Sequence, residues 1–137
     1  NRDLTHKEFE MNWIDEVNFN EEGLVPVIVQ DVKTSRVLML GWANREALES
    51  TVATGRGVYF SRSRGQVWCK GESSGNHQVV VGMQLATDGQ SVIYRVDPQG
   101  GVACHTGHAS SYWRELVPGG WRECEPVVRA PEDMYEK

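Results

Sequence analysis

The feature that most constrains the fold of this chain is a series of short apolar runs, rich in β-branched residues and separated by turn-forming residues. Runs of this kind are typical of strands, whereas helices show longer segments with a period of about 3.6 residues. The runs span residues 24–31, 36–43, 57–61, 66–70, 77–86 and 91–97. Because only the short stretch 32–35 separates the first two, we predict that they form a hairpin.

One segment carries a complete helical pattern. Asn44 is a good N-cap for a helix over residues 45–53, and Gly55 is suited to ending it. Near the N-terminus, residues 9–17 place four apolar side chains at helical spacing, which predicts a short amphipathic segment. The sequence therefore predicts a mainly β (α+β), compact, strand-rich domain with one or two short helices.

The size and composition limit the possible classes of protein. With 137 residues and 15.4 kDa, we expect a single domain over residues 1–137, with a loosely packed tail over 118–137 that is rich in proline, glycine and charge. The net charge of -5 argues against a general nucleic-acid binder. No apolar run approaches the roughly 18 residues of a membrane span, and the first residues show no signal-peptide core.

The three cysteines, Cys69, Cys104 and Cys124, form an odd set without the spacing of a disulfide framework. We interpret them as reduced thiols, which predicts a cytoplasmic protein. A packed thiol is the simplest role for Cys69, and Cys124 has no role that its neighbours indicate.

The acidic chain contains one locally positive stretch. Between Glu49 and Glu72 no acidic residue occurs, whereas three arginines and a lysine do. Residues 61–65 and 70–76 combine these cations with hydroxyls and glycines, which suits an anionic ligand such as a phosphate. The alternative is a solvated hairpin with ordinary surface arginines. Neither stretch matches a P-loop or a dinucleotide-binding motif.

A second polar cluster, residues 104–108, contains one thiol and two imidazoles. These side chains could hold zinc together with His77 or Asp88. Alternatively, Cys104 could be a nucleophile with a neighbouring histidine as its base, or the cluster could have only a structural role.

Five segments together resemble one family, the phosphoribosyl-AMP cyclohydrolases of histidine biosynthesis. They are residues 23–31, VLMLGWANREAL (37–48), GRGVYFSRSR (55–64), WCKGESSGN (68–76) and ACHTG (103–107). The segments occur in the order and spacing of the family and cover roughly residues 20–114. The last residues, after Arg114, have no counterpart that we can place.

The resemblance implies an activity, an assembly and cofactors. Family members hydrolyse the purine ring of N1-(5-phosphoribosyl)-AMP, adding water at C6 and breaking the N1–C6 bond. They are intertwined homodimers with active sites at the subunit interface, and their substrate carries two phosphates. The family binds zinc through three cysteines and magnesium through three aspartates of an Asp-Cys-Asp-x-Asp stretch, and a metal-bound water is the natural nucleophile.

The sequence departs from the family at these ligand positions. The Asp-Cys-Asp-x-Asp stretch aligns with ATDGQ (86–90), and the third zinc cysteine aligns with Ser111. Only Asp88 and Cys104 remain. Three explanations stay open: a cyclohydrolase with an altered site for a divalent metal, a related hydrolase acting on another nucleotide-like phosphorylated substrate, or a non-catalytic module that binds a phosphorylated ligand.

The resemblance and the residue chemistry together assign roles to individual side chains. His105 is the candidate general acid–base catalyst, because its usual pKa allows proton transfer in both directions at neutral pH. Glu72 orients Lys70 or contacts a ribose hydroxyl; otherwise it forms a simple surface ion pair. The other candidate substrate-binding residues are Arg62, Ser63, Arg64, Lys70, Ser73, Ser74, Gly75 and Thr106. The candidate metal ligands are Asp88, Cys104 and His108, with exposure as the alternative for His108.

Overall fold

A computed structural model describes residues 13–72, 75–100 and 107–128. These residues form one α-helix, one turn of 3-10 helix (Ile14–Glu16) and eight strands. The helix, α1, is Arg45–Thr54. The strands are β1 (Val25–Asp31), β2 (Val37–Ala43), β3 (Val58–Ser61), β4 (Gln66–Cys69), β5 (Gln78–Leu85), β6 (Val92–Pro98), β7 (Arg114–Val117) and β8 (Gly120–Glu123). The predicted strand-rich α+β fold is confirmed.

A four-stranded sheet with the order β2-β1-β6-β5 forms the centre of the fold. The antiparallel pairing of β1 and β2 confirms the predicted hairpin, while β1 and β6 are parallel. Alternate residues of a strand point to the same face, and Val25, Val27 and Val29 of β1 are all fully buried. The remaining strands form two separate hairpins, β3-β4 and β7-β8.

The predicted helix is confirmed at both ends. The Asn44 side chain accepts a hydrogen bond from the Ala47 backbone N–H at 2.9 Å, as an N-cap should. Gly55 ends the helix with a φ of 72°, in the left-handed region that glycine adopts without strain. Ala47, Leu48 and Thr51 face the core, so the helix packs against the sheet and fixes the start of β3.

The two ends of the described chain differ from what the sequence pattern indicates. Of the predicted segment 9–17, residues 9–12 lie outside the described part, and the rest forms only a single 3-10 turn that buries Ile14. Residues 114–123, which overlap the start of the predicted tail, form the β7-β8 hairpin, which sequence analysis did not identify. Leu116 and Trp121 face each other across this hairpin, and each side chain is 66% exposed. The hairpin is therefore hydrogen-bonded but buries little apolar surface. No helix in the described ranges is long and apolar enough to cross a membrane.

Candidate functional site

The first cationic stretch is a tight turn between β3 and β4, here called the arginine turn (residues 61–65). The Gly65 backbone N–H donates to the Ser61 carbonyl at 2.8 Å, and the Arg64 N–H donates to Ser61 Oγ at 3.2 Å. Ser63 Oγ lies 3.3 Å from Ser61 Oγ. The serines therefore hold the backbone of the turn, while Arg62 and Arg64 extend into solvent, where they can reach an anion.

Arg62 has an aromatic partner that sequence analysis missed. Its guanidinium carbon lies 4.5 Å from the ring centroid of Trp42, which is half-buried on β2. Nothing in the local sequence pattern links residues 42 and 62, so the pair could not be identified from the sequence.

Lys70 lies at the other end of the same hairpin. In the β3-β4 register, Ser61 faces Gln66 next to the arginine turn, and Val58 faces Cys69 next to Lys70. The four residues of β4 therefore separate the two cationic regions, and the five residue steps from Gly65 to Lys70 span about 16 Å along the strand. The backbone of one chain thus presents two positive regions rather than one cradle.

The second stretch, the lysine loop (residues 70–76), is closed by its own backbone. The Gly75 N–H donates to the Gly71 carbonyl at 2.9 Å, and the Lys70 N–H donates to the Gly57 carbonyl at 2.9 Å. Glu72 and Gly75 are exposed, whereas Ser73 and Ser74 lie outside the described residues.

The base of the lysine loop meets the start of the segment that leads to the cysteine–histidine cluster. The Gln99 N–H donates to the His77 carbonyl at 2.7 Å. At Gly100, which has a φ of 86°, an added Cβ would lie 2.1 Å from Asn76 Oδ1. The positive φ and this contact favour glycine at position 100, and they place Gly100 against Asn76 at the end of the lysine loop. Cys104, His105 and Thr106 themselves lie outside the described residues.

His108 is buried rather than exposed. Its ring stacks on Trp113 with a centroid distance of 4.1 Å and an angle of 5° between the planes. Its Nε2 lies 3.3 Å from Glu123 Oε1. Sequence analysis missed both partners because they belong to the β7-β8 region.

The comparisons with known proteins agree with the resemblance. The family model for phosphoribosyl-AMP cyclohydrolase matches residues 39–113, more than half of the chain. A protein from Stutzerimonas stutzeri with that name is 49% identical over 125 residues, covering 91% of this chain and 95% of the relative. The chain belongs to the phosphoribosyl-AMP cyclohydrolase family. Relatives with the same name from Pseudomonas fluorescens and Nitrosococcus oceani are 48% and 45% identical over at least 90% of this chain and 93% and 95% of their own lengths.

Residues 86–90, which the resemblance aligns with the family's magnesium stretch, form a closed hairpin turn. Gly89 N–H donates to the Ala86 carbonyl at 2.8 Å, and Gln90 N–H donates to Asp88 Oδ1 at 2.9 Å. The Asn18 side chain donates a hydrogen bond to the Asp88 carbonyl at 2.6 Å, which stabilises the turn through a residue distant in sequence. Magnesium prefers several oxygen ligands including carboxylates, and this turn offers one carboxylate that already accepts a backbone hydrogen bond. The residues at 86–90 therefore do not fit the family's magnesium ion.

Asp88 and His108, two of the predicted metal ligands, are not brought together within one chain. Asp88 precedes β6, whereas the segment after His108 is anchored to the start of β2, where Ser110 Oγ donates to the Val37 carbonyl at 2.8 Å. From the strand register, Val92 and Val37 are about 10 Å apart along the strands and about 10 Å across them. Within residues 13–72, 75–100 and 107–128, no three histidine, cysteine or acidic side chains lie close enough to hold a metal ion.

Proposed function

We propose that this chain hydrolyses the purine ring of N1-(5-phosphoribosyl)-AMP in cytoplasmic histidine biosynthesis, as a homodimer with an altered site for a divalent metal. The oxygen of water forms a bond to C6, the C6–N1 bond breaks, and N1 takes a proton. C6, the added oxygen and the exocyclic nitrogen N6 become a carboxamide, and N6 takes the second proton of water. Membership of the cyclohydrolase family over nine-tenths of the chain is the observation that carries this proposal.

The adjacency of the two loops supports a shared site. The Gln99–His77 hydrogen bond and the Gly100–Asn76 contact hold the lysine loop beside the segment that leads to residues 104–106. We propose His105 as the group that takes a proton from water and delivers one to N1.

The spacing of the cationic regions supports a substrate with two phosphates. In phosphoribosyl-AMP, one phosphorylated ribose is attached at N9 and the other at N1, on opposite sides of the purine. Two positive regions about 16 Å apart can each take one phosphate. We propose that Arg62 and Arg64, with Ser63, bind one, and that Lys70, Ser73, Ser74 and Gly75 bind the other. Thr106 completes the pocket, and Glu72 orients Lys70.

The separation of Asp88 from the His108 segment supports a metal site completed between subunits. A divalent ion that has both Asp88 and His108 as ligands, beside Cys104, would need donors from two copies of the chain, which agrees with a homodimer. His108 would have to bind through Nδ1 or give up its contact with Glu123.

Turnover of phosphoribosyl-AMP, followed by the absorbance change of ring opening, tests the proposal. We expect R62A and K70A each to raise KM about tenfold or more, since each removes a charge-assisted contact to phosphate. K33A is the matched control. Lys33 is an exposed lysine in the β1-β2 turn, away from the β3-β4 hairpin, and forms an ion pair with Asp97. K33A should leave KM unchanged.

The metal and the assembly are tested separately. Elemental analysis of the purified protein should find about one transition-metal ion per subunit, and sedimentation should give a dimer. If no metal is found, the altered-metal part of the proposal is wrong. If several added metals all fail to give turnover while a phosphorylated ligand still binds, the chain is instead a binding module or acts on another substrate.

A further inference from the structure

The arginine turn presents two arginines whose side chains are held differently. Hydrogen bonds from Gly65 and Arg64 to Ser61 fix the backbone of the turn. These backbone hydrogen bonds do not restrict the rotamers of the long arginine side chains. Binding an anion would therefore cost the conformational entropy of ordering those side chains.

Trp42 removes much of that freedom for Arg62. The indole attracts the guanidinium over its face at 4.5 Å, a separation typical of cation–π pairs. Trp42 lies on β2 opposite Pro26 of β1, so the ring belongs to the central sheet rather than to a loop. Among the described residues, no aromatic ring holds Arg64 in this way.

The contact also leaves the donors of Arg62 available. A guanidinium carries five N–H groups, so a single contact with an aromatic ring leaves donors for an anion. A phosphate oxygen can therefore accept bidentate hydrogen bonds from an arginine that is already oriented.

We propose that Trp42 is the positioning residue for phosphate binding by Arg62, holding the guanidinium over the sheet before the substrate arrives. This inference depends on the proposed function for the phosphate role of Arg62. Arg64, two residues further on, supplies a second cation that is not positioned in advance.

A double-mutant cycle tests the inference, with AMP as the probe and calorimetry as the measurement. W42L should raise the Kd of AMP about two- to fivefold, the loss expected for one exposed cation–π contact. W42F, which keeps a ring, should recover part of the affinity. In the R62A background, W42L should have no further effect.

A second measurement reports the contact directly and does not depend on ligand. The Arg62 Nε–H resonance, assigned by its absence in R62A, should show an upfield ring-current shift that W42L removes. W42F also covers the case in which W42L fails to fold.

The inference is wrong if W42L leaves the Kd of AMP unchanged, if the Arg62 Nε–H resonance shows no ring-current shift, or if the wild type does not bind AMP. It is also wrong if W42L raises the Kd equally in the wild type and in R62A, because Trp42 would then have a purely structural role. If the cycle gives the expected coupling but the wild type does not turn over phosphoribosyl-AMP, the proposed function fails and the positioning role stands.

Discussion

The hydroxyl of Thr51 lies 3.2 Å from the hydroxyl of Tyr94 in the buried core. The same Thr51 oxygen accepts a hydrogen bond from the Val58 backbone N–H at 3.0 Å and lies 2.9 Å from the Ala47 carbonyl oxygen. One side chain of α1 therefore joins the helix to the start of β3 and to β6. No water reaches these groups, so their hydrogen bonds must be made within the protein.

Replacing Thr51 with valine should lower the free energy of unfolding by about 1–3 kcal/mol. Valine keeps the shape of threonine but leaves the Val58 N–H without an acceptor, and the penalty for such a buried unsatisfied group is of this size. Urea denaturation measures the effect. T54V is the matched control, since Thr54 makes the same i−4 hydrogen bond at an exposed position, to Ser50. T54V should change the free energy of unfolding by less than about 0.5 kcal/mol. Equal losses in T51V and T54V would mean that the hydrogen bonds of Thr51 to β3 and β6 do not stabilise the fold.

Stability should also decline at alkaline pH. Burial raises the pKa of Tyr94 and the pKa of Tyr59, most strongly through loss of solvation of the phenolate. In the unfolded chain these tyrosines ionise near the usual pKa of about 10, so above that pH the native state binds more protons than the unfolded state. The stability is therefore complete below about pH 10 and decreases as the pH rises further.

Urea unfolding midpoints between pH 8 and pH 11 measure this decline. Y94F should be less stable than the wild type at pH 8, because Thr51 loses a partner, but its midpoint should fall less steeply above pH 10. A slope in Y94F as steep as that of the wild type would assign the decline to other groups.

The elements that could be predicted from sequence are those with local signals. Asn44 and Gly55 bound the helix through contacts within four residues, and the β1-β2 hairpin follows from two apolar runs beside a short turn. The family resemblance likewise depends on short motifs, and it is confirmed.

The features that could not be predicted depend on contacts between distant residues. The parallel pairing of β1 with β6 joins positions more than sixty residues apart, such as Val27 and Val92, and no local pattern encodes it. The proximity of Gly100 and Asn76 is equally non-local. The β7-β8 hairpin was missed because Pro118 and Gly119, which form its turn, also suit a loose tail.

His108 should contribute to stability through the β7-β8 hairpin. H108A removes the stack on Trp113 and the contact with Glu123, which together should amount to about 1–3 kcal/mol in urea unfolding. The amide of Cys124, which donates to the Trp113 carbonyl at 2.8 Å, should exchange its hydrogen faster. L116A is the control, because Leu116 is exposed on the same hairpin. If H108A and L116A both change stability by less than about 0.5 kcal/mol, the contacts of His108 do not hold the hairpin.

The close approach of the two loops predicts different effects of alanine at two glycines. Gly100 and Gly75 both have a positive φ, 86° and 78°, so alanine should strain the backbone at either position. Only at Gly100 would the new Cβ also collide, with the Asn76 side chain at 2.1 Å; at Gly75 nothing lies within 4 Å. G100A should therefore separate the lysine loop from the segment that leads to His105, and should lower kcat/KM for phosphoribosyl-AMP at least about tenfold more than G75A does. Steady-state kinetics of the two variants, compared at equal folded fraction by circular dichroism, measure the difference. Equal losses would mean that the contact between Gly100 and Asn76 does not serve the reaction.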